Sequence, residues 1–166
     1  VDVEGGRDFA AYAGVAQLLC SVIAERQKGV NALRWLVKEA NRRRTLLVAL
    51  PEATSFSGWN HAVRAATDAR TPFLNPAAAH TVLKLLPRLV CLVHDVADLL
   101  AGPADEAEAL LRTLLQNGAD VGIHCILMTS EPQRKAFTDL SALCPARLAL
   151  ALSDRQVSEY FLGTAD

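Results

Sequence analysis

Three short apolar runs interrupt an otherwise amphipathic chain: Leu89 to Val93, Ile123 to Met128, and Arg147 to Leu152. Each has strand length and is bounded by polar or turn residues, the pattern of strands buried in a parallel sheet. Between them the period changes. From about Lys28 to Leu50 the residues Leu33, Leu36, Val37, Ala40 and Leu47 recur at helical spacing, and Pro51 stops the helix. Arg34, Lys38 and Arg42 fall at i, i+4 and i+8 on another face of it. Asp105 as N-cap with Glu108 three residues on predicts a helix that carries Leu110, Leu111, Leu114 and Leu115 and ends at Gly118. Phe137 to Leu143 reads as a short helix closed by Pro145, and Ser153 with Gln156 opens a last helix that runs to Gly163. At the start, Val1 to Val3 is a strand stub ended by Gly5-Gly6, with a helical turn around Phe9 to Ala13. Residues 51–80, with Pro51, Gly58, Pro72 and Pro76, read as a surface connection holding one short helix that begins near Trp59. Strands alternating with helices predict an α/β fold, a mostly parallel sheet with helices on both faces.

A length of 166 residues and 51% hydrophobic composition give one globular domain, residues 1–166, and exclude a disordered chain. No apolar run reaches the roughly 18 to 20 residues a membrane span needs. A net charge of −1 provides no overall attraction to nucleic acid, so any DNA affinity must come from a local patch or from assembly. Cys20, Cys91, Cys125 and Cys144 show no C-x-x-C spacing, and three of them lie in or beside apolar runs. Buried free thiols in a reducing cytosol are expected.

The chemistry concentrates at the tip of the Leu89 to Val93 run. A central parallel strand delivers its next residues to the carboxyl edge of the sheet, where ligands bind in α/β folds. Here those residues are His94 and Asp95.

With its surroundings, this segment resembles the motor domain of the FtsK/SpoIIIE family, whose corresponding stretch runs L-P-Y-I-V-V-x-V-D-E-F-A-D-L and continues into G-I-H-L-x-L-A-T-Q-R-P. This chain has Leu86-Pro87-Arg88, then Ala97-Asp98-Leu99, and later Gly122-Ile123-His124 through Thr129-Ser130-Glu131-Pro132. Asn31-Ala32-Leu33-Arg34-Trp35 is similar to N-A-L-R-W, Gly58-Trp59-Asn60 to G-Y-N, Asp2-Val3-Glu4-Gly5-Gly6 to D-x-K-G-G, Tyr12-Ala13-Gly14-Val15 to Y-E-G-I, and Pro145-Ala146-Arg147 to P-T-R. The resemblance implies a RecA-like three-layer sandwich, N-terminally truncated because the family's P-loop comes before this point. It also implies ATP and Mg²⁺ as cofactors, a homo-oligomeric ring of six, and double-stranded DNA as partner. The setting would be cytoplasmic, with any membrane tether outside this piece.

Carried over residue by residue, the resemblance puts His94 at the Walker B metal position and Asp95 at the catalytic base position. Thr129 takes the sensor position of the nucleotide site, and Ala119 the place of an arginine finger at the subunit interface. Imidazole is a poor ligand for the hard Mg²⁺ ion, and Asp95 is one methylene shorter than the family's Glu. Loss of an arginine finger costs about 10³ to 10⁵ in rate. Lys28, Lys38, Lys84 and Lys135 follow Gln, Val, Leu and Arg, so no Gly-Lys pair exists for a P-loop. The reading is therefore a degenerate motor domain that does not hydrolyse ATP by itself. Its rival is a non-catalytic docking or ring-assembly module with a protein partner, like the degenerate motors of type VII secretion. Arg34, Lys38 and Arg42 are the candidate DNA contacts, set against a solvated helix face with Glu39 beside it. Trp35 and Trp59 are expected as packing anchors. His94, His124, Cys91 and Cys125 do not close a four-ligand shell by spacing, so no metal site is assigned.

Overall fold

The computed structural model describes residues 1–49, 55–69, 74–75, 78–101, 106–132, 135–150 and 155–162. The first long element, α1 (Arg26–Val48), buries Val30, Leu33, Leu36, Ala40 and Leu47, the stripe its periodicity predicts. One cation joins that stripe. Arg43 is buried, and its guanidinium donates to the carbonyls of Pro87 (2.8 Å) and Val121 (3.0 Å) and to Glu39 Oε1 (2.7 Å). It thereby ties the helix to the two turns that lead into the sheet strands.

Helix α2 (Phe56–Asp68) starts three residues before Trp59, because Ser55 Oγ accepts from Gly58 N–H (3.0 Å) as a true N-cap. Phe56, Trp59 and Val63 are all in the core. The short helix expected near Trp59 is thus present, and its i, i+3, i+7 apolar stripe packs it into the core. Trp59 donates its indole N–H to Lys84 O (3.0 Å), while the Asn60 amide both donates to and accepts from the Leu86 backbone, each at 2.8 Å. Strands β1 (Leu74–Asn75) and β2 (Ala78–Val82) pair antiparallel, a feature the sequence did not suggest.

The sheet that matters for function is a parallel pair, β3 (Leu89–Val93) and β4 (Ile123–Leu127), in register from Leu89 opposite Ile123 to Val93 opposite Leu127. On its other side β3 meets the start of the chain. Asp2 bridges to His94 in parallel, His94 N–H donates to Val1 O (2.8 Å), and Val3 N–H donates to His94 O (3.3 Å). The strand is thus central by hydrogen bonding, as expected, but it is not buried on both faces. Val93 and Ile123 lie in the core with Leu89, Cys91, Cys125 and Leu127 packed against it. The opposite face leaves Val90 57%, Leu92 40% and Ile126 50% exposed.

After β3 come α3 (Val96–Leu100) and α4 (Glu106–Asn117), and α4 packs on both α1 and β4. Asp105, the expected cap of α4, lies outside the described residues. A Cβ at Gly118 would come within 2.6 Å of Leu114 O and 2.7 Å of Ile123 O, so only glycine lets the chain turn so tightly from helix to strand. Gly122 at φ +74° completes the turn through a 3-10 segment, Ala119–Val121. Helices α5 (Lys135–Ser141) and α6 (Arg155–Leu162) meet through stacked Phe137 and Phe161 rings, 6.2 Å apart. Ser153 and Gly163 lie outside the described residues.

Two further expectations are corrected. Residues 147–150 form no strand, and Leu148 and Leu150 are 85% and 83% exposed. A strand exists only by pairing, and no described strand lies beside this run. The cysteines are less buried than expected: Cys20 is exposed and the other three are half-buried.

Candidate functional site

His94 and Asp95 leave the tip of β3 in opposite directions, as strand alternation requires. Asp95 turns toward the segment after β4. Its Oδ2 accepts from Ser130 Oγ (2.7 Å) and Ser130 N–H (3.2 Å), and its Oδ1 accepts from Ala97 N–H (3.2 Å), which makes it the N-cap of α3. Burial pushes this carboxyl up, but the hydrogen bonds from Ser130 and Ala97 outweigh burial and hold it below the ordinary carboxylate range. Both oxygens are engaged with the protein itself.

His94 turns toward the start of the chain. Its Nδ1 is 3.4 Å from Asp8 Oδ2, and Phe9 meets the imidazole edge to face with centroids 5.8 Å apart. Asp2, wholly buried, accepts through Oδ2 from the backbone N–H groups of Asp8 (3.0 Å) and Phe9 (3.4 Å). Positive φ angles at Gly5 (94°) and Gly6 (73°) fold residues 7–9 back over the strand end. This grouping of Asp2, Asp8 and His94 escaped the sequence reading, because it depends on a pairing between residues 2 and 94. The reverse turn at Gly5-Gly6 was its only local signal.

The other positions singled out in the sequence are scattered around this corner. Thr129 Oγ1 accepts from Glu131 N–H (3.0 Å), and its side chain also hydrogen-bonds the Asp95 carboxyl, so the structure brings these two positions together. Ala119 is exposed at the start of the 3-10 segment. Glu4 has its carboxyl pushed up, first by repulsion from Asp98, with Asp95 adding to it, so the strand end carries several carboxylates together. A Mg²⁺–nucleotide does not fit this donor set. Of the two strand-tip residues, Asp95 is already oriented by three hydrogen bonds from Ser130 and Ala97, His94 is an imidazole, and the surrounding charge is negative.

The candidate DNA contacts are largely paired. Arg34 makes a two-pronged bridge to Glu106 (2.6 and 2.7 Å), and Arg42 does the same to Glu39 (2.7 and 2.8 Å). Lys38 is exposed between them. Trp59 is the packing anchor expected of it, whereas Trp35 is 46% exposed. Trp35 borders a cavity of about 530 Å³ whose walls include Tyr12, Leu18, Val90, Leu92 and Ile126. Cys91 and Cys125 face each other across the β3–β4 register, away from His94 and His124. No described helix is long and apolar enough to cross a membrane.

Residues 1–136 match the model of the FtsK/SpoIIIE family. The chain is 31% identical over 156 residues to the DNA translocase FtsK of Pseudomonas aeruginosa, covering 89% of this chain and 19% of that protein. It is 32% identical over 156 residues to the DNA translocase FtsK of Pseudomonas syringae pv. syringae, and 31% over 157 residues to that of Pasteurella multocida. The chain therefore spans about a fifth of the length of the curated relatives it matches. With the family model covering most of its residues and β3 and β4 forming the parallel sheet of an α/β core, the chain belongs to the FtsK/SpoIIIE family, whose motor domain is RecA-like.

Proposed function

We propose that this chain is a motor-type domain of a DNA-translocating assembly whose own catalytic corner has become structural, so that it does not turn over ATP. The observation that carries this reading is the engagement of Asp95. A water-positioning carboxylate must be aimed at the attacking water, and here three hydrogen bonds from Ser130 and Ala97 fix the Asp95 carboxylate toward its own turn and helix cap. His94 in place of the metal carboxylate and Ala119 in place of the trans arginine support the same conclusion. The link to DNA comes from the relatives, which carry the name DNA translocase. In a ring of such subunits this domain would contribute shape and contacts, while nucleotide turnover would fall to other copies or domains. Titration of the chain with Mg²⁺–ATP in a calorimeter tests this. No saturable heat is expected, and a one-to-one isotherm lost on removal of Mg²⁺, with phosphate released during the titration, would contradict it.

The open sheet face favours a second reading, a protein-docking module. Val90, Leu92, Ile126 and Trp35 expose apolar surface around one cavity, the composition of an interface core.

A further inference from the structure

We propose that Asp2, Asp8 and His94 form a site for one divalent transition-metal ion of the zinc class. One carboxylate oxygen from each aspartate and one imidazole nitrogen lie within 4.8 Å of one another. Proximity alone would not distinguish this group from an ordinary acidic corner. Two orphaned atoms do. Asp2 is 0% exposed, and its Oδ1 has no hydrogen-bond partner; the buried His94 Nδ1 has none either. Interiors rarely leave such atoms without a hydrogen bond, and a buried carboxylate oxygen with none, beside an imidazole whose nearest acidic neighbour is Asp8 Oδ2 at 3.4 Å, is a place for a positive centre.

The donor set selects the ion. Two carboxylate oxygens with one imidazole suit Zn²⁺, Co²⁺ or Ni²⁺, whereas Mg²⁺ and Ca²⁺ prefer oxygen alone. Around a tetrahedral ion with bonds of about 2.1 Å, neighbouring donors sit about 3.4 Å apart. His94 Nδ1 and Asp8 Oδ2 are separated by 3.4 Å without forming a hydrogen bond.

The scaffold is also that of a held site. The backbone N–H groups of Asp8 and Phe9 fix Asp2 through its second oxygen, and Phe9 packs on the imidazole. The Asp8 side chain is 57% exposed, which leaves the fourth position open to water or to an outside ligand. A bound ion would clamp the turn of residues 3–9 onto the tip of β3. The site does not use Asp95, so metal binding stands or falls separately from the loss of ATP turnover.

Equilibrium dialysis of the 166-residue chain against Zn²⁺, and against Co²⁺ as a spectroscopic probe, tests the proposal. One ion per chain is expected, with a rise in the thermal midpoint and visible Co²⁺ absorption. Asp8→Asn, at an exposed side chain that leaves the core intact, and His94→Gln should each weaken binding at least about tenfold. His124→Gln, on an exposed strand position, should change nothing. Absence of stoichiometric binding would overturn the proposal. So would affinity unchanged in both Asp8→Asn and His94→Gln, since the ion would then be held adventitiously elsewhere.

Discussion

Arg43 illustrates how much a single side chain can decide. In the sequence it belongs to the run Arg42-Arg43-Arg44 and reads as part of a solvated basic face. In the structure its neighbours stay in solvent, while Arg43 is buried and joins α1 to the Pro87 and Val121 turns. Replacing it leaves the Pro87 and Val121 carbonyls without their donor and Glu39 with Arg42 alone, so Arg43→Met should lower unfolding free energy by about 2–4 kcal/mol in urea titration. Arg44→Met, at a surface position, should stay within about 0.5 kcal/mol. An equal effect of the two would show that the buried network is not formed. Gly122 is a second sharp case. With φ at +74° and the Phe56 ring where a Cβ would go, Gly122→Ala should cost about 1–3 kcal/mol in the same titration. His94 and Asp95 were legible as strand-tip residues because an apolar run ended at them. Their partners were not, since Ser130 and Asp8 reach them only through the folded backbone.

At the scale of elements, the apolar pattern located α1, α4, β3 and β4 to within a few residues, because each is regular and bounded by polar or turn residues. It failed where the pattern was short or the partner missing. The helix expected near Trp59 begins three residues earlier, at Phe56, and the 147–150 run had the composition of a strand without a described neighbour to pair with. Helix α1 also gives a pH prediction. Hydrogen bonding from Arg42, against an opposing push from burial and with further help from Arg43, holds the Glu39 carboxyl at about 2 against an ordinary value of 4.5. A depressed carboxyl contributes stability above its unfolded-state value, and the contribution is lost as pH falls toward the folded value. The thermal midpoint should therefore drop between about pH 4.5 and pH 2, and Glu39→Gln should flatten that part of the profile. An identical slope in Glu39→Gln would assign the acid transition to other carboxylates.

For the whole molecule, family membership and a parallel sheet with β3 between β4 and the start of the chain stand together, and the proposed loss of turnover rests on the corner at His94 and Asp95. Near-zero net charge, with Arg34 and Arg42 committed to Glu106 and Glu39, leaves few cations for phosphate. Binding of double-stranded DNA by this chain should be weak and steeply salt-dependent, with Kd of about 10⁻⁴ to 10⁻⁶ M at physiological salt. Submicromolar binding in a fluorescence anisotropy titration would show that those ion pairs open to receive the duplex.

The most direct test of the central claim is phosphate release from ATP by this chain, measured with Mg²⁺ in the presence and absence of linear double-stranded DNA. With Asp95 held by Ser130 and Ala97, the rate should match the protein-free control under both conditions. Mg²⁺-dependent release that DNA stimulates and Asp95→Ala abolishes would show that the corner is still a working catalytic site.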